Sequence, residues 1–243
     1  FEKSKPAALP DGKGTLNAAV DELVNGVLLA AADNDPGNPR VIWSESLPYS
    51  AGTVTAPGAR YGGGNPGRIF RSIGVSPQHR YEIKVTRNAK LPSLDYSFEA
   101  IPLPSLWGQA TAALQAKDID VAKDGSFTIT ADATPANGRR NHLQLPPTTA
   151  TILVRDTLSD WQAQLPNNVS VRRIDDAKVA ARNRDAIVKD AVAQIDSTVD
   201  KTIEFLTDKV WSKQANTINP VQRTLEWGVP GGVVAIDRFS VRD

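Results

Sequence analysis

The 243-residue chain contains no cysteine, no methionine and only two histidines, His79 and His142. Without thiols there is no disulfide framework, no thiolate nucleophile and no cysteine-ligated zinc. Neither imidazole has a second histidine at ligand spacing, which disfavours a histidine-rich metal centre; no metal and no cofactor are expected. Neither sign of charge dominates either, since 28 basic residues face 27 acidic ones. That balance gives no broad electrostatic footprint for nucleic acid or an anionic membrane. No uninterrupted apolar run approaches the ~20 residues of a membrane span, so a soluble protein without a membrane span is expected. The Gly-x-Ser-x-Gly elbow of α/β-hydrolases is missing, as is the strand–helix alternation of that fold. The sequence starts at Phe1 rather than at a methionine, so any signal peptide lies outside it and the compartment, cytoplasm or periplasm and beyond, stays open.

What is present is patterned for a mainly β chain with helical excursions. Residues 1–14 mix Lys, Pro and Gly without periodicity, as an extended arm does. Leu16, Val20, Leu23, Val24, Val27 and Leu28 then recur at helical steps, with Thr15 as the expected N-cap. The run stops at 33–39, where Pro36, Gly37 and Pro39 forbid continuation. Asp33, Asp35 and Asn38 offer oxygens there, but at turn spacing rather than that of an EF-hand loop. Val41 to Trp43 reads as a short strand, followed by a long Pro/Gly/Ser-rich loop to Pro66.

Residues 68–75 and 80–87 alternate apolar and polar, as half-buried strands do, and 95–103 repeats the pattern. Leu106 to Lys117 is ambiguous between helix and strand. Asp124-Gly125 between Ile119–Val121 and Ser126–Ala131 is the strongest short hairpin signal. Thr151 to Val154 is β-branched and apolar enough for a central buried strand, and Val169 to Ile174 follows as another. Strand and turn spacing predict an antiparallel β-sandwich of jelly-roll type, with one N-terminal helix and one long amphipathic helix.

The long helix is expected from Asp175, with Asp175 and Asp176 at its positive end. Val188, Val192, Ile195, Val199, Ile203, Leu206 and Val210 make one apolar stripe, expected to pack within the protomer, with a homodimer seam over 175–217 as the rival. The expected organisation is a single domain over 1–243: arm and helix 1–40, sandwich 41–174, helical excursion 175–217, and returning strands 218–243.

Several motifs stand in one order: Tyr61-Gly-Gly-Gly-Asn-Pro-Gly-Arg-Ile-Phe, His79-Arg-Tyr-Glu-Ile, Asp124-Gly-Ser-Phe-Thr-Ile, Asn141-His-Leu-Gln-Leu-Pro-Pro and Val154-Arg-Asp-Thr-Leu-Ser-Asp-Trp. Over about residues 60–174 the chain resembles the bacterial family catalogued as domain of unknown function number 1214. The resemblance implies a β-sandwich, a further β-rich segment in many members, and no assigned activity. Two positions depart from the family pattern, with Gly67 where an aspartate is usual and His142 where an aromatic is usual.

The candidate ligand-binding residues are Tyr61, Asn65 and Arg68 of the Gly-rich loop, and Asn141, His142 and Gln144 before the Pro146-Pro147 corner. If the loop folds over the corner, amide, imidazole and guanidinium groups converge on an acidic or hydroxyl-rich ligand. One reading is a soluble module binding a small polar or carbohydrate-like ligand or a protein partner. The alternative is a hydrolase or lyase using His142 with a carboxylate, Asp160 being the candidate. Trp43, Tyr61, Trp107 and Trp161 suit sugar stacking but are more ordinary as core. Arg71, Arg155, Asp156 and Asp160 suit ion pairs that fix strand ends.

Overall fold

A computed structural model describes residues 12–59, 67–102, 110–176, 178–180, 182–205, 207–208, 212–218, 222–223 and 233–234. In chain order the elements are α1 (Gly12–Asp33), β1 (Val41–Trp43), β2 (Tyr49–Ala51), β3 (Val54–Ala56), β4 (Arg68–Gly74), β5 (Tyr81–Thr86), β6 (Asp95–Pro102) and β7 (Ala112–Gln115), then β8 (Ser126–Asp132), β9 (His142–Gln144), β10 (Thr149–Thr157), β11 (Asn168–Arg173), α2 (Arg184–Phe205), β12 (Gln222–Arg223) and β13 (Val233–Val234). Over the described residues the chain is mostly β with two α-helices, as the alternating patterns require.

Five strands form one sheet in the order β1-β4-β10-β6-β7, and four form another in the order β11-β5-β8-β9. The two sheets share one core. Ile73, Ile152, Val154, Phe98 and Ala100 enter it from the first sheet, and Tyr81, Ile83, Val85, Phe127, Ile129 and Leu143 from the second. Each comes from the apolar set of a period-two pattern, so the pleat alone puts these side chains on one face. Phe127 stitches the layers, stacking on Tyr96 with ring centroids 5.4 Å apart and meeting Phe98 edge-on at 6.2 Å. β1 approaches β11 on one flank, and β7 approaches β9 on the other.

Several sequence expectations change. The pairing is antiparallel except for β8 and β9, which run parallel, the 133–141 connection carrying the chain back to the level of Thr130 before β9 begins. Asp124-Gly125 does form a tight turn, with Gly125 at φ 83°, but no hairpin follows from it. β8 pairs with β5 instead of with 119–121. The long loop before Pro66 contains its own hairpin, β2 against β3. The ambiguous stretch resolves as strand β7 and a 3-10 turn at Ala116–Asp118, while 103–109 lies outside the described residues. Asp35 is turn chemistry: its carboxylate accepts from the Gly37 amide at 2.9 Å and from the Asn38 side chain at 3.2 Å.

The helices depart most. α1 starts at Gly12, ahead of Thr15, and its Gly14–Asp33 stretch is long and apolar enough, by length and composition, to cross a membrane. Interspersed Asn, Asp and Glu hid this from a search for an uninterrupted apolar run. α2 begins at Arg184, not Asp175, because Asn183 caps it by accepting from the Ala186 amide at 2.8 Å. Asp175 instead accepts from the Arg80 amide at 2.9 Å and lies 3.4 Å from His79 Nδ1, and the His79 side chain is 14% exposed.

α2 packs against α1; Ala191, Thr198 and Thr202 are buried, Ile195, Val199 and Ile203 half-buried, and Val188 and Val192 exposed, while Leu206 and Val210 lie outside the described residues. Successive residues are turned by about 100° on a helix, and the face with the small side chains allows close approach. Arg182 reinforces the junction by donating to the Ala31 and Asn34 carbonyls, both at 2.7 Å, at the C-terminal end of α1. Asp at Val192 is therefore expected to change monomer stability by no more than about 0.5 kcal/mol, whereas Asp at Ala191 should cost several times that. Urea unfolding of the two variants, with light scattering alongside, checks the orientation. Loss of a dimer with Val192→Asp would instead place the exposed stripe in a homodimer seam.

Candidate functional site

His142 sits in β9 opposite Thr130, and its imidazole is 0% exposed. Nδ1 lies 2.8 Å from Thr130 Oγ1 and Nε2 2.8 Å from the Thr134 carbonyl oxygen. Nε2 faces the Thr134 carbonyl, which only accepts, and at 3.1 Å Arg139 Nη2, which only donates; the nearer carbonyl favours the proton on Nε2, with Nδ1 accepting from the Thr130 hydroxyl. The carboxylate beside it is that of Asp132, 3.8 Å from Nε2. Arg139 closes the group by donating to Thr134 Oγ1 and to the Pro135 carbonyl, both at 2.8 Å.

Asp160 was the expected partner of His142. The structure uses it elsewhere: it is exposed, and its Oδ1 accepts from the Gln162 and Ala163 amides at 2.8 and 3.1 Å, fixing a turn. The imidazole is thus a buried polar element, a role its sequence position between two strand-like runs does not distinguish from a catalytic one.

Asp132 titrates in a defined direction. Burial pushes its pKa up, but the Thr134 hydroxyl and amide, with His142 and Arg139, together hold it below the ordinary 3.8. A carboxylate whose folded pKa is depressed contributes stability above its unfolded pKa and loses it as pH falls through the lower folded value. Asp132→Asn should therefore flatten the fall in stability below about pH 4 relative to the parent. Thermal unfolding at a series of acid pH values reads this out, and parallel curves for the two proteins would contradict it.

The other expected site residues separate. Asn141, at φ 50°, turns its amide onto the backbone of Asp120, accepting from its N–H at 2.7 Å and donating to its C=O at 2.8 Å. Its side chain is a structural clasp. Arg68 starts β4 opposite Thr157, while Gly74 at the other end of β4 lies opposite Thr151. Six strand residues span roughly 20 Å, so Arg68 is at the far end of the sheet from the Pro-Pro corner and does not converge with His142. Tyr61 and Asn65 lie outside the described residues, as does Trp107. Trp43 and Trp161 are exposed rather than core.

Gln144 does reach a site. A cavity of about 640 Å³ opens at the corner, walled by Asn34 and Pro36 after α1, by residues 75–78 between β4 and β5, and by Ala133, Gln144, Leu145, Pro147, Thr149 and Ala150. Three turns make it, each punctuated by a proline. Two of its residues carry an unanswered oxygen: Asn34 Oδ1 and Thr149 Oγ1 are buried without a hydrogen-bond partner. Gly74 lets the Asn34 turn close in, since a Cβ there would lie 2.8 Å from Asn34 Cα. Sequence reading found the Pro-Pro corner but not Asn34 or Thr149, whose only signal was their place beside prolines.

A further charged group also went unseen. On the opposite face of the first sheet, Glu99 is buried, ion-paired to Arg155 at 3.0 Å, and hydrogen-bonded by the Ser97 hydroxyl at 2.9 Å. Burial raises its pKa against the pull of Arg155. The Arg155 guanidinium lies 5.5 Å over the Phe70 ring. Among the described residues, no group of His, Asp and Glu is arranged to hold a metal ion.

No family model matches the chain, and no curated protein matches it significantly. A crystal structure of an uncharacterised protein from Burkholderia cenocepacia is similar, with a TM-score of 0.72 and 21% identity over 93% of this chain. The chain spans 60% of that protein's length. A Vibrio parahaemolyticus protein aligns over 43% of this chain and 30% of its own, with 14% identity and a TM-score of 0.32. The first likeness is one of fold.

Proposed function

We propose that the chain is a binding module whose site is the cavity at the Pro-Pro corner, and that it holds a small, uncharged polar molecule. The observation that carries this reading is a cavity of about 640 Å³ where three turns meet, its walls combining Pro36, Val75, Pro77, Leu145 and Pro147 with the polar side chains of Ser76, Gln78 and Gln144. Small-molecule sites typically occupy ~300–1,000 Å³ and combine apolar walls with a few polar groups. None of the wall residues is ionisable, which favours neutral ligands over acidic sugars or carboxylates. None is aromatic either, so a sugar bound here would be held by hydrogen bonds and aliphatic contact rather than by stacking.

Titration calorimetry with neutral sugars, small amides and small carboxylates tests the reading, on the parent and on Ala150→Trp, which fills the cavity. Saturable binding of a neutral compound to the parent and its loss in Ala150→Trp is the expected result. Binding of none of them, or binding indifferent to the filled cavity, would remove the site. Two structural readings accompany the proposal. The passage of the chain from one sheet to the other between β4 and β5, β5 and β6, β7 and β8, β9 and β10, and β10 and β11 supports a jelly-roll type of winding, with the parallel β8–β9 pair as a departure. Membership of the family of unknown function rests on the ordered motifs between about residues 60 and 174.

A further inference from the structure

Two connections meet at the end of the sandwich away from the Pro-Pro corner: residues 87–94 between β5 and β6, and 158–167 between β10 and β11. They are tied to each other and to the strands. Leu165 N–H donates to the Leu91 carbonyl and Leu94 N–H to the Thr157 carbonyl, both at 2.8 Å. Side chains cap the turns: Asn88 Oδ1 accepts from the Lys90 and Leu91 amides at 3.0 and 2.8 Å, and Gln164 Oε1 from the Ser159 and Asp160 amides at 2.7 and 3.2 Å. Asp160 holds the Gln162 and Ala163 amides in the same way. This tied-down end nevertheless turns large apolar side chains outward, with Leu94 62%, Trp161 59% and Leu165 44% exposed. Exposed loop tips are ordinarily small and polar.

Three features fit a lipid surface rather than a protein partner. The three side chains stand on turn tips and expose on the order of 300 Å² together, well short of the ~800 Å² per partner of a specific protein interface. Tryptophan beside leucine is the composition of a membrane–water boundary, where an amphipathic ring sits at headgroup level. The turn amides named above are answered within the protein, so seating the tips among headgroups strands none of them. Charge then selects the kind of lipid. Arg87 and Lys90 stand against Asp95 and Asp160 on these connections, and the cancelling signs give no pull toward anionic headgroups.

We infer that this end of the sandwich seats on a zwitterionic bilayer surface, with Leu94 and Trp161 entering the headgroup boundary. The corner cavity, at the opposite end, then faces the water. The inference stands on a different surface from that cavity, so either can fail without the other.

Flotation with phosphatidylcholine vesicles tests it, on the parent, on Leu94→Ser combined with Trp161→Ser, and on Val188→Ser combined with Val192→Ser. The last pair is also exposed, but it lies on the first turns of α2, which begins beside the Arg182–Asn34 contact at the corner end. The tip variant should partition about tenfold or more weakly than the parent, since burying even one such side chain is worth about that factor. The α2 variant should stay within about twofold of the parent, and all three proteins should melt together because the altered side chains are exposed. High salt or added phosphatidylserine should change the parent's binding by less than about threefold. A parent that does not float, a tip variant that floats as well as the parent, or equal losses in both variants would overturn the inference. Binding that requires phosphatidylserine and vanishes in high salt would overturn the zwitterionic surface. A parent dimer that dissociates in the tip variant, seen by light scattering, would give the tips to a second copy instead.

Discussion

Replacing Asp156 with alanine is expected to cost about 3–5 kcal/mol, the largest loss available from one polar substitution here. Asp156 is fully buried and pairs with the Arg71 guanidinium, while its second oxygen accepts from the Asn167 amide at 3.3 Å. Arg71 is buried too and donates to the Asn167 carbonyl at 2.7 Å. Both pKa values report what burial costs: it raises that of Asp156 and lowers that of Arg71, in each case against the attraction of the partner. The pair therefore contributes little net stability, yet removing the carboxylate alone strands a guanidinium among apolar strands. Arg71→Met combined with Asp156→Leu should recover most of the loss, because the stranded charge goes with its partner. Urea unfolding at neutral pH measures both. A loss below about 1 kcal/mol in the single variant would mean that water reaches Arg71 once Asp156 is gone.

The second large effect is apolar. Ile152 is fully buried at the centre of β10, with Ile73 of β4 on one side and Ala100 of β6 on the other. Truncation to alanine removes three carbons from a position touching both layers and leaves a cavity that flanking strands cannot close, at about 2–5 kcal/mol. Leu153, one residue on, faces the other side of the sheet and is only half buried, so Leu153→Ala should cost distinctly less. Chemical denaturation with matched slopes compares them. A cost for Ile152→Ala under about 0.5 kcal/mol would mean that the strand sits one residue out of register, since such a slip exchanges the two faces completely.

The sequence by itself determined what depends on near neighbours. Alternation at Tyr81, Ile83 and Val85, and at Phe127 and Ile129, set which side chains face the core, because the pleat makes face a matter of parity. The tight turn at Gly125 and the helix stop before Pro36 were equally local, set by permitted backbone angles. Ion pairing was half legible: Arg71, Arg155 and Asp156 were candidates, but Glu99 joined Arg155 only through the β6–β10 register, which pairs Leu153 with Glu99 and Arg155 with Ser97.

The tertiary structure decided everything that depends on how distant segments dock. Arg68 and His142 were expected in one site if the Gly-rich loop folded over the Pro-Pro corner, yet β4 carries Arg68 roughly 20 Å from the corner. The cavity joins residues 34–36, 75–78 and 133–150, three segments far apart in the sequence. On α2 Ala191 and Thr198 are buried while Val188 and Val192 of the more hydrophobic stripe are exposed and Ile195 and Val199 only half-buried. Hydrophobicity ranks the faces of one helix, but packing chooses among them by the shape of what lies opposite.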